Sequence, residues 1–134
     1  MRISKLNYKS ISHKEQRYNT TGDYWFDKNK TLQVRVSRMD NGRYEMLVLV
    51  HELIELILCH LRKIKFKDID NFDINFEKER KKGLHNKYAM PGGDKKAPYY
   101  KEHQFATKLE KLLAKKLEVN WKEYEKKRSE LRCK

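Results

Sequence analysis

Residues 44–60 read YEMLVLVHELIELILCH, the most apolar segment of the chain, yet they contain His51, Glu52 and Glu55. A buried helix excludes ionisable groups unless something pairs with them, because stripping water from a charge is costly. At about 100° per residue, Glu55 falls ~40° from His51 around a helix, Cys59 ~80° and Glu52 ~100°. These groups therefore share one quadrant of an otherwise aliphatic helix, and His60 alone lies opposite. His51 and Glu55, four apart, project side by side from successive turns. That spacing lets one helix give two ligands to a single metal ion. Glu52 points to the flank of the same site, where it can reach a metal-bound water without binding the metal. The bland counterpart is a buried ion-pair or hydrogen-bond cluster, with Arg35 or Arg43 as the partner.

A third ligand must come from another element. The helix opened by Pro98 carries KEHQ, residues 101–104. On its wheel Glu102 lies between Ala106, Leu109 and Leu113, and His103 lies at the border of that face. His103 completes a His–His–Glu set suited to catalytic zinc, with Glu102 orienting a histidine from behind; the two roles can also be exchanged. His13 and His85 sit in polar context and are read as incidental.

The elements that must position these residues follow from periodicity. Residues 1–22 are polar and irregular, closing on the turn NTTG. DYWFD makes a short aromatic strand. TLQVRVSRM makes a second, in which Leu32, Val34 and Val36 alternate with Gln33, Arg35 and Ser37, giving one dry and one wet face. After DNG, a helix over residues 43–63 is apolar around most of its circumference and is expected to be covered on nearly all sides. A second helix starts near Asp68, carries Ile69, Phe72 and Phe76, and ends at Gly83. Residues 84–98 hold both prolines and two glycines, a loop long enough to suggest function. The next helix lines up Phe105, Ala106, Leu109, Leu112, Leu113 and Leu117. The tail adds a short helix that docks Trp121 and Tyr124. The expected architecture is a single α+β domain over residues 1–134: a short N-terminal antiparallel sheet, a central buried helix, and two or three more helices.

Composition bounds the function classes. The 134 residues carry 32 Lys and Arg against 19 Asp and Glu, a formal charge of +13. Nucleic acid is one partner for such a surface, but the basic runs are short and scattered, with no aromatic platform for single strands. No apolar run is long enough for a transmembrane helix, and the first residues lack a secretory core. Cys59 and Cys133 form no CxxC pair, which suits a reducing cytoplasm.

Taken together, GDYWFD, LQVRVSRM, YEMLVLVHELIE, DIDNFDINFE and the run from Pro91 to Tyr124 resemble a family of small uncharacterised proteins of bacteriophages and bacteria. The resemblance covers residues 22–124. Its helix is similar to the HExxH helix of zincin metalloproteases, with Glu55 where those enzymes place a second histidine. The zincin likeness implies His51 as ligand, Glu52 as general base, and the strand Leu32, Val34 and Val36 as the edge that pairs with extended substrate. The implied activity is hydrolysis of a peptide or amide bond in a peptide or protein substrate, with one divalent ion: zinc first, and manganese or iron as alternatives that accept a carboxylate readily. Tyr99 or Tyr100 is a candidate donor to the oxyanion, and the loop 85–97 a candidate rim or lid. The alternatives are a non-catalytic phage accessory protein with a structural polar cluster, and a basic nucleic-acid-associated module.

Overall fold

A computed structural model describes residues 2–133. Strands β1 (Leu6–Ile11), β2 (Gly22–Phe26) and β3 (Leu32–Ser37) precede helices α1 (Gly42–Leu61), α2 (Phe66–Lys81), α3 (Tyr100–Lys116) and α4 (Trp121–Arg132), with single 3-10 turns at His13–Glu15 and Pro91–Gly93. The chain is α+β, a sheet followed by four helices.

The sheet is mixed, not antiparallel. Its order is β1-β3-β2, with β1 parallel to β3 and β2 antiparallel to it. β1 falls in the segment expected to be irregular. It is an edge strand whose Leu6 is exposed, so no alternation advertises it. Because β3 lies in the centre, its backbone is paired on both sides, and Leu32, Val34 and Val36 have no exposed surface. These three residues therefore cannot form a substrate edge. The face of β3 expected to be wet is covered as well. Gln16 Nε2 and His13 Nδ1 meet the Ser37 hydroxyl at 3.1 and 2.8 Å, and Arg17 and Arg35 lie over the Trp25 ring.

Helix α1 starts on Asn41, whose side chain accepts from the amides of Arg43 and Tyr44, a cap worth about 1 kcal/mol. It ends without glycine. Lys63 takes the left-handed conformation and the Ile64 amide returns to the Cys59 carbonyl; α3 ends the same way through Glu118 and Val119. One side of α1 packs on β2 and β3 and another on α3. It is not enclosed all round: Met46, Ile57 and Leu61 are exposed. On α3, Phe105 and Leu112 also face outward, while Glu102, His103, Ala106, Glu110 and Ala114 are buried.

The core divides into two apolar clusters. One holds Tyr24, Leu32, Val34, Leu56, Cys59 and Ile69; the other holds Val36, Met39, Leu47, Val48, Ala114 and Tyr124. Along α1, His51 and Glu55 fall between Val48 of one cluster and Leu56 of the other. The sheet fixes one flank of that polar interval, and α3 supplies the other.

Candidate metal centre

His51 and Glu55 of α1 meet His103 of α3 in a closed triangle. His51 Nε2 is 3.0 Å from Glu55 Oε2 and 3.2 Å from His103 Nδ1, and His103 Nδ1 is 2.9 Å from the same Glu55 oxygen. All three residues are buried, and together they can hold a metal ion. Around tetrahedral zinc with ligands at about 2.0–2.1 Å, neighbouring donor atoms stand about 3.3 Å apart. The observed triangle is close to one face of that tetrahedron. The donor set of two imidazoles and one carboxylate also suits zinc.

The groups behind the triangle decide which atoms point into it. His51 Nδ1 lies 2.8 Å from Glu110 Oε1. A carboxylate there accepts the Nδ1 proton and leaves Nε2 for a cation, the arrangement that orients metal-binding histidines. Glu110 has no exposed surface and is held in turn by Arg128 Nη1 at 2.8 Å and by the Tyr124 hydroxyl. The Tyr24 hydroxyl donates to Glu55 Oε1 at 2.8 Å, fixing Glu55 so that Oε2 faces the histidines.

Glu102 does not orient a histidine. It pairs with Arg62 at 3.3 Å, and Glu110 performs the role expected of it. Nor do Arg35 and Arg43 reach the cluster. Arg35 binds Gln33 and the carbonyls of Asn7 and Val34, and Arg43 binds the Leu117 carbonyl. The arginine that matters, Arg128, comes from the C-terminal helix. His103 and Glu110 are seven residues apart, about 20° on the wheel, so one buried stripe carries both. A second carboxylate on the Ala106–Ala114 face was the available signal. Nothing local in the sequence links Arg128 to it.

The protonation states follow the contacts. Burial opposes a charged His51, but hydrogen bonds and charges from Glu110 and Glu55 outweigh it and push the ring up to about 10. Burial also opposes ionised Glu55, yet His103 and His51 draw it down to about 2. His103 shifts downward, chiefly by burial. A proton on His51 thus stands where a cation would supply positive charge.

A cavity of about 60 Å³ opens beside the triangle and is lined by Glu52, Asp73, Tyr99, Gly22 and Gly92 among others. Among the described residues Glu52 accepts no hydrogen bond, and burial together with the Glu55 charge raises it well above the usual carboxylate range. Two glycines set its limits. A Cβ on Gly22 would collide with Glu52 Oε1, and one on Gly92 would stand 2.5 Å from His103 Nδ1. The loop 85–97 does form a rim, through Pro91 and Gly92. Tyr99 lines the cavity, but its hydroxyl donates to Asp73 at 2.6 Å, so its proton is committed and an oxyanion role does not fit this geometry. Tyr100 packs on the apolar cluster instead. His13 joins Ser37 and Asn19 and His85 stacks on Phe76, both apart from the triangle.

In comparisons with known proteins, the chain matches no family model, no curated protein and no solved structure.

Proposed function

We propose that this chain is a metal-dependent hydrolase acting on peptide or amide bonds, with His51, Glu55 and His103 as ligands of one divalent cation and Glu52 as general base. One observation carries the reading. The ligand triangle is oriented from behind by Glu110, and an otherwise unpartnered carboxylate, Glu52, shares the adjoining cavity. A bound cation would supply Lewis acidity and make a water molecule acidic near pH 7.

The chain's own groups do the rest. Glu110 and Tyr24 keep Nε2 of His51 and Oε2 of Glu55 turned inward. With a cation's charge beside it to favour the ionised form, Glu52, for which Gly22 leaves room, accepts the proton of an attacking water and returns it to the leaving amine. Asp73, raised to about 7 by burial and the nearby Glu55 charge against the opposing Tyr99 hydrogen bond, is a second proton-holding group in the same cavity. Tyr99 and Tyr18 position it. A cavity this small holds an ion and a few waters, whereas organic ligands occupy pockets of roughly 300–1,000 Å³. Substrate entry therefore requires the Pro91–Gly93 segment to swing away, as a lid does. Peptide and amide bonds are the substrate class suggested by the zincin likeness of the α1 motif.

A second reading has its own support. Each donor atom of the triangle already has a hydrogen-bond partner, as in a structural cluster of a non-catalytic accessory protein.

Elemental analysis of the purified chain, together with zinc titration, separates the two. The hydrolase reading expects one divalent ion per chain. Glu55→Gln or His51→Ala abolishes uptake, and Glu52→Gln retains the ion while losing cleavage of a fluorogenic peptide library. A wild-type chain that takes up no zinc, manganese or iron ends the reading.

A further inference from the structure

Arg128 and Arg132 stand one turn apart on α4, and Arg80 approaches them from α2. Arg128 and Arg132 are each only 7% exposed. Two carboxylates serve the three guanidinium groups. Glu110 accepts from Arg128 at 2.8 Å, and Glu77 Oε2 accepts from Arg80 and from Asn19. Arg132 has no carboxylate partner among the described residues. Its Nη2 makes long contacts to the Tyr88 carbonyl, 3.4 Å, and the Ser129 hydroxyl, 3.5 Å, while Nε and Nη1 have no partner. An unpaired buried charge is among the costliest features a fold can keep. The strain registers on the group itself: burial and the charges of Arg128 and Arg80 lower Arg132 to about 10.

The position of this unsatisfied cation gives it meaning. Arg132 lines the cavity that contains His51, Glu55 and His103. It also lines an outer cleft of about 330 Å³ with Asn19, Arg80 and Lys87. It therefore stands in a wall shared by the site and the surface. Among the described residues, three arginines against two carboxylates leave one positive charge over at that wall. An oxyanion is the chemistry that completes the set, since a charge-assisted hydrogen bond is about twice as strong as a neutral one.

We propose that Arg132 is the receptor for an oxyanion, a carboxylate or phosphate group, carried by the molecule that enters the cavity. As a statement about the substrate this rests on the hydrolase reading; as a statement about an anion site it stands alone. In the bound state Arg132 pairs with the oxyanion while the rest of the ligand extends towards the His51 triangle.

The test uses the full chain, chelator-treated so that phosphate cannot report on a metal. Inorganic phosphate produces a saturable rise in melting temperature. Arg132→Met weakens the phosphate affinity at least about tenfold, and without anion its melting temperature equals or exceeds that of the wild type, because an unpaired charge has been removed. Lys122→Met, which deletes an exposed charge on the same helix, leaves the phosphate response intact. Acetylated tri-alanine with a free carboxylate, compared with its amide, identifies the source. A response to the acid alone assigns a peptide carboxylate; a response to phosphate alone assigns a phosphate group. No saturable response in the wild type, an unchanged response in Arg132→Met, or a loss of stability in anion-free Arg132→Met overturns the proposal. Zinc titration of the same proteins keeps the readings apart: absent zinc uptake defeats the hydrolase while leaving the phosphate response to stand or fall by itself.

Discussion

On one side of Arg128, the polar groups around His51 are closed on themselves. His51 meets Glu110, Glu55 and His103; Glu55 meets Tyr24; Glu110 meets Tyr124 and Arg128. On the other side, Arg132 carries two buried nitrogens with no partner among the described residues, and Glu77 Oε1, the Nε of Arg80 and the Nε of Arg128 itself are left open too. Both regions are buried and built from the same kinds of residue. They differ in whether the fold supplies every counter-charge. A satisfied network fixes the direction of each side chain, as the proposed ligand set would require. An unsatisfied one costs stability continuously and persists where something outside the chain completes it.

The sharpest way to break this contrast is to remove the keystone of the closed side. Glu110→Ala leaves Arg128, Tyr124 and His51 Nδ1 without their acceptor, and a broken buried pair costs about 3–5 kcal/mol. Urea unfolding followed by circular dichroism measures it, and a loss below about 1 kcal/mol, the range of a surface pair, would mean the network is not the fixed unit described. Glu110→Gln, which keeps the shape, weakens zinc affinity about 10–100-fold by calorimetric titration. An unchanged affinity would separate Glu110 from the ligand geometry.

Gly92→Ala tests the wall and not the charges. Its Cβ enters the space of the His103 ring, so the loop or the ring must shift, at about 1–3 kcal/mol for overpacking, with weaker zinc binding. A variant crystal structure with His103 unmoved and affinity retained would show that the wall yields freely.

The most gradual effect is a slope with pH. In the metal-free chain the folded-state pKa of His51 is about 10, above the ordinary value near 6.5. Its stabilising contribution is therefore complete below about 6.5 and disappears as pH rises through 10, at no more than about 1.4 kcal/mol per pH unit. Melting curves of wild type against His51→Asn isolate it, since only the wild type carries this slope. Zinc affinity runs in the opposite sense and strengthens over the same interval, because the His51 proton must leave. Parallel pH curves for both proteins would show that His51 is not the titrating group.

Much of the site is legible along single elements. His51 and Glu55 share a stripe by spacing alone, and His103 follows from one helical face. Glu110 repeats that face two turns later, so the Ala106–Ala114 stripe was a signal for it, but its neighbours Lys108, Lys111 and Leu112 obscure that it is wholly buried. β1 escapes sequence reading because an edge strand with a wet outer side need not alternate. β3 does alternate, but alternation gives the faces of a strand and says nothing of its neighbours, so its central place was hidden. Tyr99 illustrates the same limit: its position at the cavity follows from the Pro98 boundary, while its commitment to Asp73 depends on where α2 lies.

What the sequence by itself determined is periodic and local: the amphipathic strand, the apolar helix with one polar quadrant, and the nearness of His51 to Glu55. Helical geometry dictates these within a few residues. What only the tertiary structure decided is pairing across elements: His103 against α1, Glu110 behind His51, Arg128 behind Glu110, and Arg132 with no carboxylate partner among the described residues. Those contacts join residues up to 59 positions apart, and their partners are chosen by how the helices pack and by the cost of an unpaired buried charge, neither of which is written in any single stretch of chain.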